Sequence, residues 1–193
     1  MDYTKVESSC RNMLSDGLGL DLSDPNLKET PKRIARMYCE EFFCNVEKEF
    51  EDFKTFPNDE GYDQIVTSDC IHFVSMCSHH FLPFVGHAWV LYIPDKLLIG
   101  ASKMSRLVNH YAKRPQLQEN LTHQVIQAFN RALNPKGVMV FMRAIHGCMN
   151  CRGVKQPASG MCTSAVLGAF VDDPSMELKG LEMIKISTRA SDL

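Results

Sequence analysis

Two short clusters of thiol and imidazole side chains constrain this chain more than any other feature of its sequence. Cys77 and His80 have C-x-x-H spacing, and Cys148 and Cys151 have C-x-x-C spacing far downstream. Such patterns are typical of a zinc site, because Zn²⁺ prefers tetrahedral sulfur and nitrogen ligation. We therefore expect the fold to bring two distant segments of the chain to one point.

The spacing of these residues permits three interpretations. All four could form a closed Cys₃His site of the structural kind, three could leave one position open for catalysis, or the clusters could bind no metal. His79 and His146 each lie beside a proposed ligand and are left over in either metal scheme. Because imidazoles gain and lose protons near neutral pH, these spare histidines favour an open, catalytic site.

Composition limits the partners and the compartment of the chain. Its 193 residues carry a formal net charge of -2, with 45% hydrophobic and 23% charged residues. Such a chain suits one functional domain with no general attraction to nucleic acid or membranes. The first residues lack a secretory signal, and no apolar run reaches the ~20 residues of a membrane span. We therefore expect a cytoplasmic protein whose eight cysteines are mostly reduced.

A polar stretch around residues 57–61 divides the chain into an N-terminal helical arm, residues 1–60, and a mixed body, residues 61–193. In the arm, Thr30 followed by Pro31 predicts a helix start with Thr30 as the N-cap. Apolar residues then recur at helical spacing, which predicts a buried stripe on that helix.

Strand and helix patterns in the body predict the element order ββααββ. The predicted strands cover residues 64–77, 85–93, 138–146 and 160–170, and the predicted helices cover residues 102–113 and 117–133. This order favours the α+β class, with an antiparallel sheet and helices packed on one face. The loop of the first hairpin would carry His79 and His80. Because a four-stranded sheet leaves its edges exposed, we also expect self-association.

Polar residues at the starts of the two predicted helices could bind an anion and a base, although an acid at a helix start is also favourable through the helix dipole alone. Ser102, Lys103 and Arg106 open the first helix, where basic side chains and free N–H groups favour phosphate. Glu119, preceded by Gln118, begins the second helix. A carboxylate can accept two adjacent N–H groups at once, and guanine offers such a pair in N1–H and its N2 amino group.

Several segments, in this order, resemble the zinc-dependent type of GTP cyclohydrolase I. They read ETPKRIARMY, CSHHFLPFVGHAWVLYIP, IGASKMSRLV, RPQLQENLT, AIHGCMNCRGV and SAVLGAF, and they extend from about Leu20 to Phe170. The resemblance implies the tunnelling fold, in which ββααββ units form pentameric rings that stack as a homodecamer. It also implies that the active sites lie at subunit interfaces.

The same resemblance implies roles for the clustered residues. It makes Cys77, His80 and Cys148 the zinc ligands, with water in the fourth position. It makes His79 and His146 the acid–base histidines.

The resemblance also implies contacts with a GTP substrate. Glu119 and Gln118 match the guanine-recognition motif. The positions that hold ribose and triphosphate are matched by Ser102, Lys103, Arg106, Arg152, Arg33 and Arg36.

The implied reaction converts GTP to 7,8-dihydroneopterin triphosphate and formate, a step of pterin synthesis. Hydroxide supplied through zinc adds at guanine C8 while His146 protonates N7, and the imidazole ring of the base then opens. Formate is released, the ribose rearranges, and the dihydropterin ring closes. His79 is implied as a proton shuttle for the later steps.

Three residues depart from the family pattern. Ser78 replaces a usual glutamate, His87 replaces a common lysine, and Cys151 is an added thiol that could compete for zinc or be oxidised with Cys148.

One alternative function is that of a related nitrile reductase acting on a 7-deazaguanine, which would need a nucleophilic cysteine and a nicotinamide site. The other is a non-catalytic, zinc-stabilised module that binds nucleotide.

Overall fold

The chain begins with two helices in the computed structural model, which describes residues 1–68, 70–157 and 159–190. Helix α1 spans Tyr3–Asn12 and α2 spans Thr30–Arg36, and they continue as π-helical turns over Met13–Gly17 and Met37–Phe42. The hydroxyl of Tyr3 donates a hydrogen bond to the carbonyl oxygen of Lys32 at 3.1 Å. This contact joins the two helices of the arm.

The start of α2 differs by one residue from the sequence prediction. Thr30 is the first helical residue and Glu29 is the N-cap, with Pro31 in the first turn. The prediction of Thr30 as the N-cap is therefore wrong. The N–H groups of a first helical turn have no partner within the helix, so proline loses nothing at the second position.

The strands that follow form a small sheet and a main sheet. They are β1 (Thr55–Pro57), β2 (Val66–Thr67), β3 (Ile71–Cys77), β4 (Pro83–Ile93), β5 (Leu97–Ile99), β6 (Pro115–Gln116), β7 (Gly137–His146) and β8 (Gly160–Gly168). The helices between and after them are α3 (Ala101–Ala112), α4 (Gln118–Leu133), α5 (Gly147–Asn150), α6 (Ala169–Asp172) and α7 (Pro174–Ala190). The predicted order ββααββ is confirmed by strands β3 and β4, helices α3 and α4, and strands β7 and β8.

The main sheet has the strand order β6-β3-β4-β7-β8, and β2 also pairs with β4. The β3–β4, β4–β7 and β7–β8 pairs are antiparallel, and only the short β6 runs parallel to its neighbour. Strand β1, from the segment assigned to the arm, pairs with β5 in a separate two-stranded sheet. The predicted α+β class and antiparallel sheet are confirmed.

Helices α3 and α4 cover one face of the main sheet. Leu107 and Tyr111 of α3 and Leu121 and Phe129 of α4 are buried in the same cluster as Phe73 of β3. Spacings of one or two turns keep these residues on one side of each helix. Burying each such side chain contributes roughly 1.5–3 kcal/mol, so this layer supplies most of the core.

Helix α7 covers part of the opposite face, where sequence analysis gave the tail no role. Ile184 packs in a second buried cluster with Trp89, whose indole N–H donates to the hydroxyl of Ser187 at 2.9 Å. The pattern of α7 is hard to recognise because Leu178 and Ile186, also apolar, are each 65% exposed. Apolar residues on both sides of a helix blur the stripe that identifies its buried face.

In the described part of the chain, no helix has both the length and the apolar character that crossing a bilayer requires. Asp69, within the first predicted strand, and residues 191–193, at the end of the predicted body, lie outside that part. The division at residue 60 stays a prediction.

Gly86 provides a test of how closely β4 and β7 approach each other. A Cβ added there would lie 2.0 Å from the carbonyl oxygen of Arg143 and 2.6 Å from Cα of Ala144. Because backbone atoms cannot rotate away, we expect Gly86→Ala to lower the free energy of unfolding by about 1–3 kcal/mol or more. Urea unfolding followed by circular dichroism would measure the change.

Gly160→Ala is the matched control in the same sheet. Its added Cβ would meet its nearest atom, the carbonyl oxygen of Ala144, at 3.5 Å, an ordinary contact. Equal unfolding midpoints for the Gly86 and Gly160 variants would contradict the proposed close approach.

Candidate active site

Two thiols and one imidazole meet at one edge of the main sheet. Cys77 ends β3, His146 ends β7, and Cys148 lies in the single turn α5 that follows. Their donor atoms all lie within 4.8 Å of one another. They meet because β4 runs antiparallel to both β3 and β7, so that the ends of those two strands lie at one edge.

This donor set fits a metal ion. The sulfur atoms of Cys77 and Cys148 are 4.0 Å apart. Two sulfurs bound to one zinc ion at ~2.3 Å in tetrahedral geometry would be separated by roughly 3.8 Å. Burial raises the pKa of the Cys148 thiol, and the neighbouring Cys77 adds to the rise. A bound cation would reverse this effect, since a coordinating thiol is deprotonated.

His146 is held by contacts on the ring face and on the ring edge. Its ring stacks on Phe84 with centroids 4.5 Å apart and an interplanar angle of 2°. Its Nε2 lies 2.9 Å from the side-chain oxygen of Gln118. Burial lowers the pKa of His146, and the carboxylate of Glu119 opposes this shift. The imidazole is therefore buried, oriented and biased toward its neutral form.

The loop after β3 carries the other two predicted histidines, His79 and His80. Both are exposed, and Nε2 of His80 accepts a hydrogen bond from Nη1 of Arg152 at 3.0 Å. His80 is thus not among the three residues whose donor atoms converge, although the sequence predicts it as a ligand. The structure brings His146 to the two thiols and brings His80 to Arg152, a predicted triphosphate contact.

Aromatic contacts attach this loop to the N-terminal arm. Phe81, which follows His80, packs against Phe43 with ring centroids 5.3 Å apart and against Tyr38 at 6.1 Å. The rings of Tyr38 and Phe43 stack at 5.1 Å. Sequence analysis missed these anchors, because periodicity within the arm says nothing about which distant loop it contacts.

Cys151 lies apart from the convergent donors. Its thiol is exposed and donates to the carbonyl oxygen of Gly147 at 2.8 Å. The geometry therefore favours the open interpretation over the closed Cys₃His set.

Lys103 and Arg106, two of the predicted triphosphate contacts, converge on a carboxylate that sequence analysis did not identify. Nζ of Lys103 lies 2.5 Å from one oxygen of Asp52, and Nη1 of Arg106 lies 3.0 Å from the other. The hydrogen bonds from Lys103 and Arg106 lower the pKa of the Asp52 carboxyl. Ser102 is exposed on the same helix. No spacing pattern could have revealed Asp52, because the pairing joins segments far apart in sequence.

Glu119 and Gln118 begin α4 side by side but have different surroundings. Glu119 is exposed in the first turn, whereas only 1% of Gln118 is exposed. In the arm, Arg33 is exposed and Arg36 forms an ion pair with Glu40 at 3.2 Å. Glu119 is thus open to a ligand, while the amide of Gln118 is enclosed by protein.

An α+β fold whose sheet edge carries two thiols and an imidazole within reach of one metal ion defines the chain as a candidate metalloprotein. Comparison with known proteins specifies the class further: the family model described as GTP cyclohydrolase I matches residues 6–185. The chain belongs to the GTP cyclohydrolase I family, which converts GTP to dihydroneopterin triphosphate.

Curated relatives match over most of their length. The GTP cyclohydrolase 1 of Carboxydothermus hydrogenoformans is 42% identical over 186 residues, covering 95% of each chain. That of Aquifex aeolicus is 41% identical over 190 residues, covering 96% of this chain and 98% of the relative. That of Rhodopirellula baltica is 40% identical over 184 residues, covering 95% and 80%.

One solved structure shows a weaker likeness. The archaeosine synthase QueF-Like in the apo form aligns with 63% of this chain and 98% of its own, at 16% identity and a TM-score of 0.41. A likeness at this level supports no inference about the chain.

The open site predicts different roles for two nearby cysteines. We expect Cys148→Ser to lose the bound metal, because it removes one of the convergent sulfurs. We expect Cys151→Ser to keep it, because that thiol is bonded to a backbone carbonyl instead. Elemental analysis of the purified variants by mass spectrometry would give the metal content per chain. Loss of metal from Cys151→Ser would support the closed Cys₃His site and contradict the open one.

Proposed function

We propose that this chain converts GTP to 7,8-dihydroneopterin triphosphate and formate with a zinc ion held by Cys77, Cys148 and His80. The observation that carries the proposal is the convergence of Cys77, Cys148 and His146 at one sheet edge, in a chain of this family. Two thiols and an imidazole suit zinc. When bound, zinc polarises water and makes it a nucleophile at neutral pH.

Two imidazoles are available as the third ligand, and their surroundings support different roles. His80 lies on an exposed turn with its ring bonded to Arg152, and an exposed ring can exchange that partner for a zinc ion. His146 is fixed by Phe84 and Gln118. A fixed ring beside the reacting base suits a proton donor, whose geometry must be maintained. We therefore assign His80 to the metal and His146 to the proton.

The proposed proton transfers can be assigned to named atoms. His146 accepts a proton from the attacking water and gives it to N7 of guanine, and the remaining hydroxide oxygen bonds to C8. The C8–N9 bond then breaks, and a second water releases C8 as formate. Exposed His79 is available to carry protons in the later ribose rearrangement, and ring closure returns one water. The net reaction consumes one water per GTP.

Other polar residues support binding of the substrate. The carboxylate of Glu119, exposed at the start of α4, can accept both N1–H and the N2 amino group of guanine. Its charge also favours the protonated form of His146. Basic and hydroxyl side chains are proposed for ribose and triphosphate: Ser102, Lys103, Arg106 and Arg152, joined by Arg33 and Arg36.

The outer strand of the main sheet, β8, supports the proposed association of several copies of the chain. Within the described residues, β8 pairs with β7 on one side and has no strand on the other. An open edge of nine residues favours pairing with another copy of the chain. We propose the family's homodecamer of two pentameric rings, in the cytoplasm, where reducing conditions keep the ligand thiols free.

The function is tested by incubating the zinc-loaded protein with GTP. We expect stoichiometric formate and, after oxidation, a fluorescent pterin. His146→Ala should abolish both products and keep the zinc, since the residue moves a proton in this scheme. His80→Ala should lose zinc as well as activity. Formate can be measured enzymatically and zinc by elemental analysis.

The outcomes separate the alternatives. Absence of both products from zinc-loaded wild-type protein would overturn the proposed reaction and support a non-catalytic nucleotide-binding module. Zinc loss in His146→Ala, with zinc retained in His80→Ala, would exchange the roles of the two histidines.

Asp52 is expected to compete with the substrate for Lys103 and Arg106. Because its carboxylate neutralises both cations, Asp52→Asn should strengthen triphosphate binding and lower KM for GTP. An exposed ion pair is worth ~0.2–1 kcal/mol, so we expect a change of up to roughly fivefold. Steady-state kinetics would measure it, with Glu51→Gln as the control for the same charge change one residue away. A rise in KM would instead show that Asp52 orders the two cations for the substrate.

A further inference from the structure

The side chain of Gln118 is enclosed at the junction of α4 with strands β7 and β8. Its Nε2 lies 3.3 Å from the carbonyl oxygen of Met142, 3.1 Å from that of Met161, and 3.1 Å from Oγ1 of Thr163. Backbone carbonyls only accept hydrogen bonds, so the amide NH₂ of Gln118 must point toward them. The orientation of the amide is thereby fixed.

The neighbouring hydroxyls agree with this orientation. Thr122 donates from Oγ1 to the backbone carbonyl of Gln118 at 2.9 Å. With that proton used, Oγ1 of Thr122 must accept from Thr163, which lies 2.7 Å away. Thr163 then has a free lone pair to accept from Gln118 Nε2. The two hydrogens of Gln118 Nε2 thus face three acceptors, and reversing the amide would place its oxygen against two carbonyls.

The fixed amide of Gln118 determines which ring nitrogen of His146 carries the hydrogen when the ring is neutral. The remaining amide atom, Oε1, lies 2.9 Å from Nε2 of His146, and an amide oxygen can only accept. Nε2 must therefore carry a hydrogen, which leaves Nδ1 with the free lone pair of the neutral ring. A 180° flip of the ring would put Cε1 in the place of Nε2 and lose this hydrogen bond, so the contact with Gln118 also favours the observed ring orientation.

We propose that Gln118 is a positioning residue that holds His146 in the Nε2–H tautomer, so that Nδ1 is its only free nitrogen. This role replaces the predicted contact between Gln118 and guanine. It deepens the proposed function, because it rests on His146 as the proton donor, and it names Nδ1 as the nitrogen that takes up a proton from water and then passes it to the base. The sheet, through Met142, Met161 and Thr163, thus sets the orientation of the proton donor.

The tautomer can be measured without substrate. Nitrogen-15 NMR of metal-free protein, at a pH where the ring is neutral, should show the Nε2–H form for His146, assigned by its absence in His146→Ala. In Gln118→Leu the ring should become a mixture of tautomers. An Nδ1–H ring in the wild-type protein would overturn the proposal without any variant.

Gln116→Leu is the matched control. Gln116 is 3% exposed, and its Nε2 donates to the carbonyl of Tyr111 at 2.8 Å and to Gln124 at 2.9 Å. Its loss removes a buried amide of the same kind without touching His146. The His146 tautomer should therefore be unchanged, which separates a specific effect from general loosening of the core.

Kinetics distinguish positioning from substrate binding. Gln118→Leu should lower kcat by about 10–100-fold, the usual effect of losing a partner that orients a functional histidine, with KM little changed. A raised KM with unchanged kcat and an unchanged tautomer would instead assign Gln118 to guanine. Failure of wild-type protein to release formate would overturn the proposed reaction but leave the tautomer result valid.

Discussion

The antiparallel register of β4 with β7 is the constraint on which the candidate active site depends. Pairing of Phe84 with His146 places the end of β7 beside the start of β4, one turn after Cys77 ends β3. A slip of one residue would turn His146 to the opposite face of the sheet. The two thiols and the imidazole would then no longer converge. Gly86, two positions along β4, permits the close backbone contact that this register requires.

The arm contributes to the same site through the loop that it anchors. Phe81 has a φ of 51°, a left-handed conformation that costs an L-residue roughly 1–2 kcal/mol. Its contacts with Tyr38 and Phe43 can offset this cost, since an aromatic pair contributes ~0.5–1.5 kcal/mol beyond its buried area. The exposed histidines of the loop are thus positioned by packing on the residue after them. The arm and the loop that carries His79 and His80 thus form one structural unit, although they are separated in the sequence.

The sequence predicted those features that depend on local pattern. Alternation and helical spacing identified the central hairpin, helices α3 and α4, and strands β7 and β8, because each buries a face whose period is visible in the sequence. The ligand-like spacing of the two clusters that contain Cys77 and Cys148 predicted that they meet, and their sulfur atoms lie 4.0 Å apart. The helical tail was missed because its apolar residues lie on more than one side.

Features that depend on contacts between distant segments could not be predicted in this way. The ion pairs of Asp52 and the anchoring of Phe81 join residues far apart in the chain. Spacing also could not show that His146, and not His80, lies with its donor atom beside the thiols. The roles of the two histidines therefore stay predictions, since proximity permits both ligand and proton donor. The periodicity of apolar residues predicts which side of a helix or strand is buried. Which side chains contact one another depends on how the buried sides of different elements pack together.

Neighbouring residues in a helix must face different surroundings, and the start of α4 uses this geometry. Successive side chains are separated by about 100° around the helix axis, so Gln118 and Glu119 cannot point to the same place. Gln118 is buried against the sheet and contacts His146, while Glu119 is exposed and open to a base. Gln118 and Glu119, which look like one recognition motif in the sequence, therefore have two different proposed roles on one rigid helical turn. Because that turn is rigid, a base held by Glu119 would lie in a fixed relation to the imidazole oriented by Gln118.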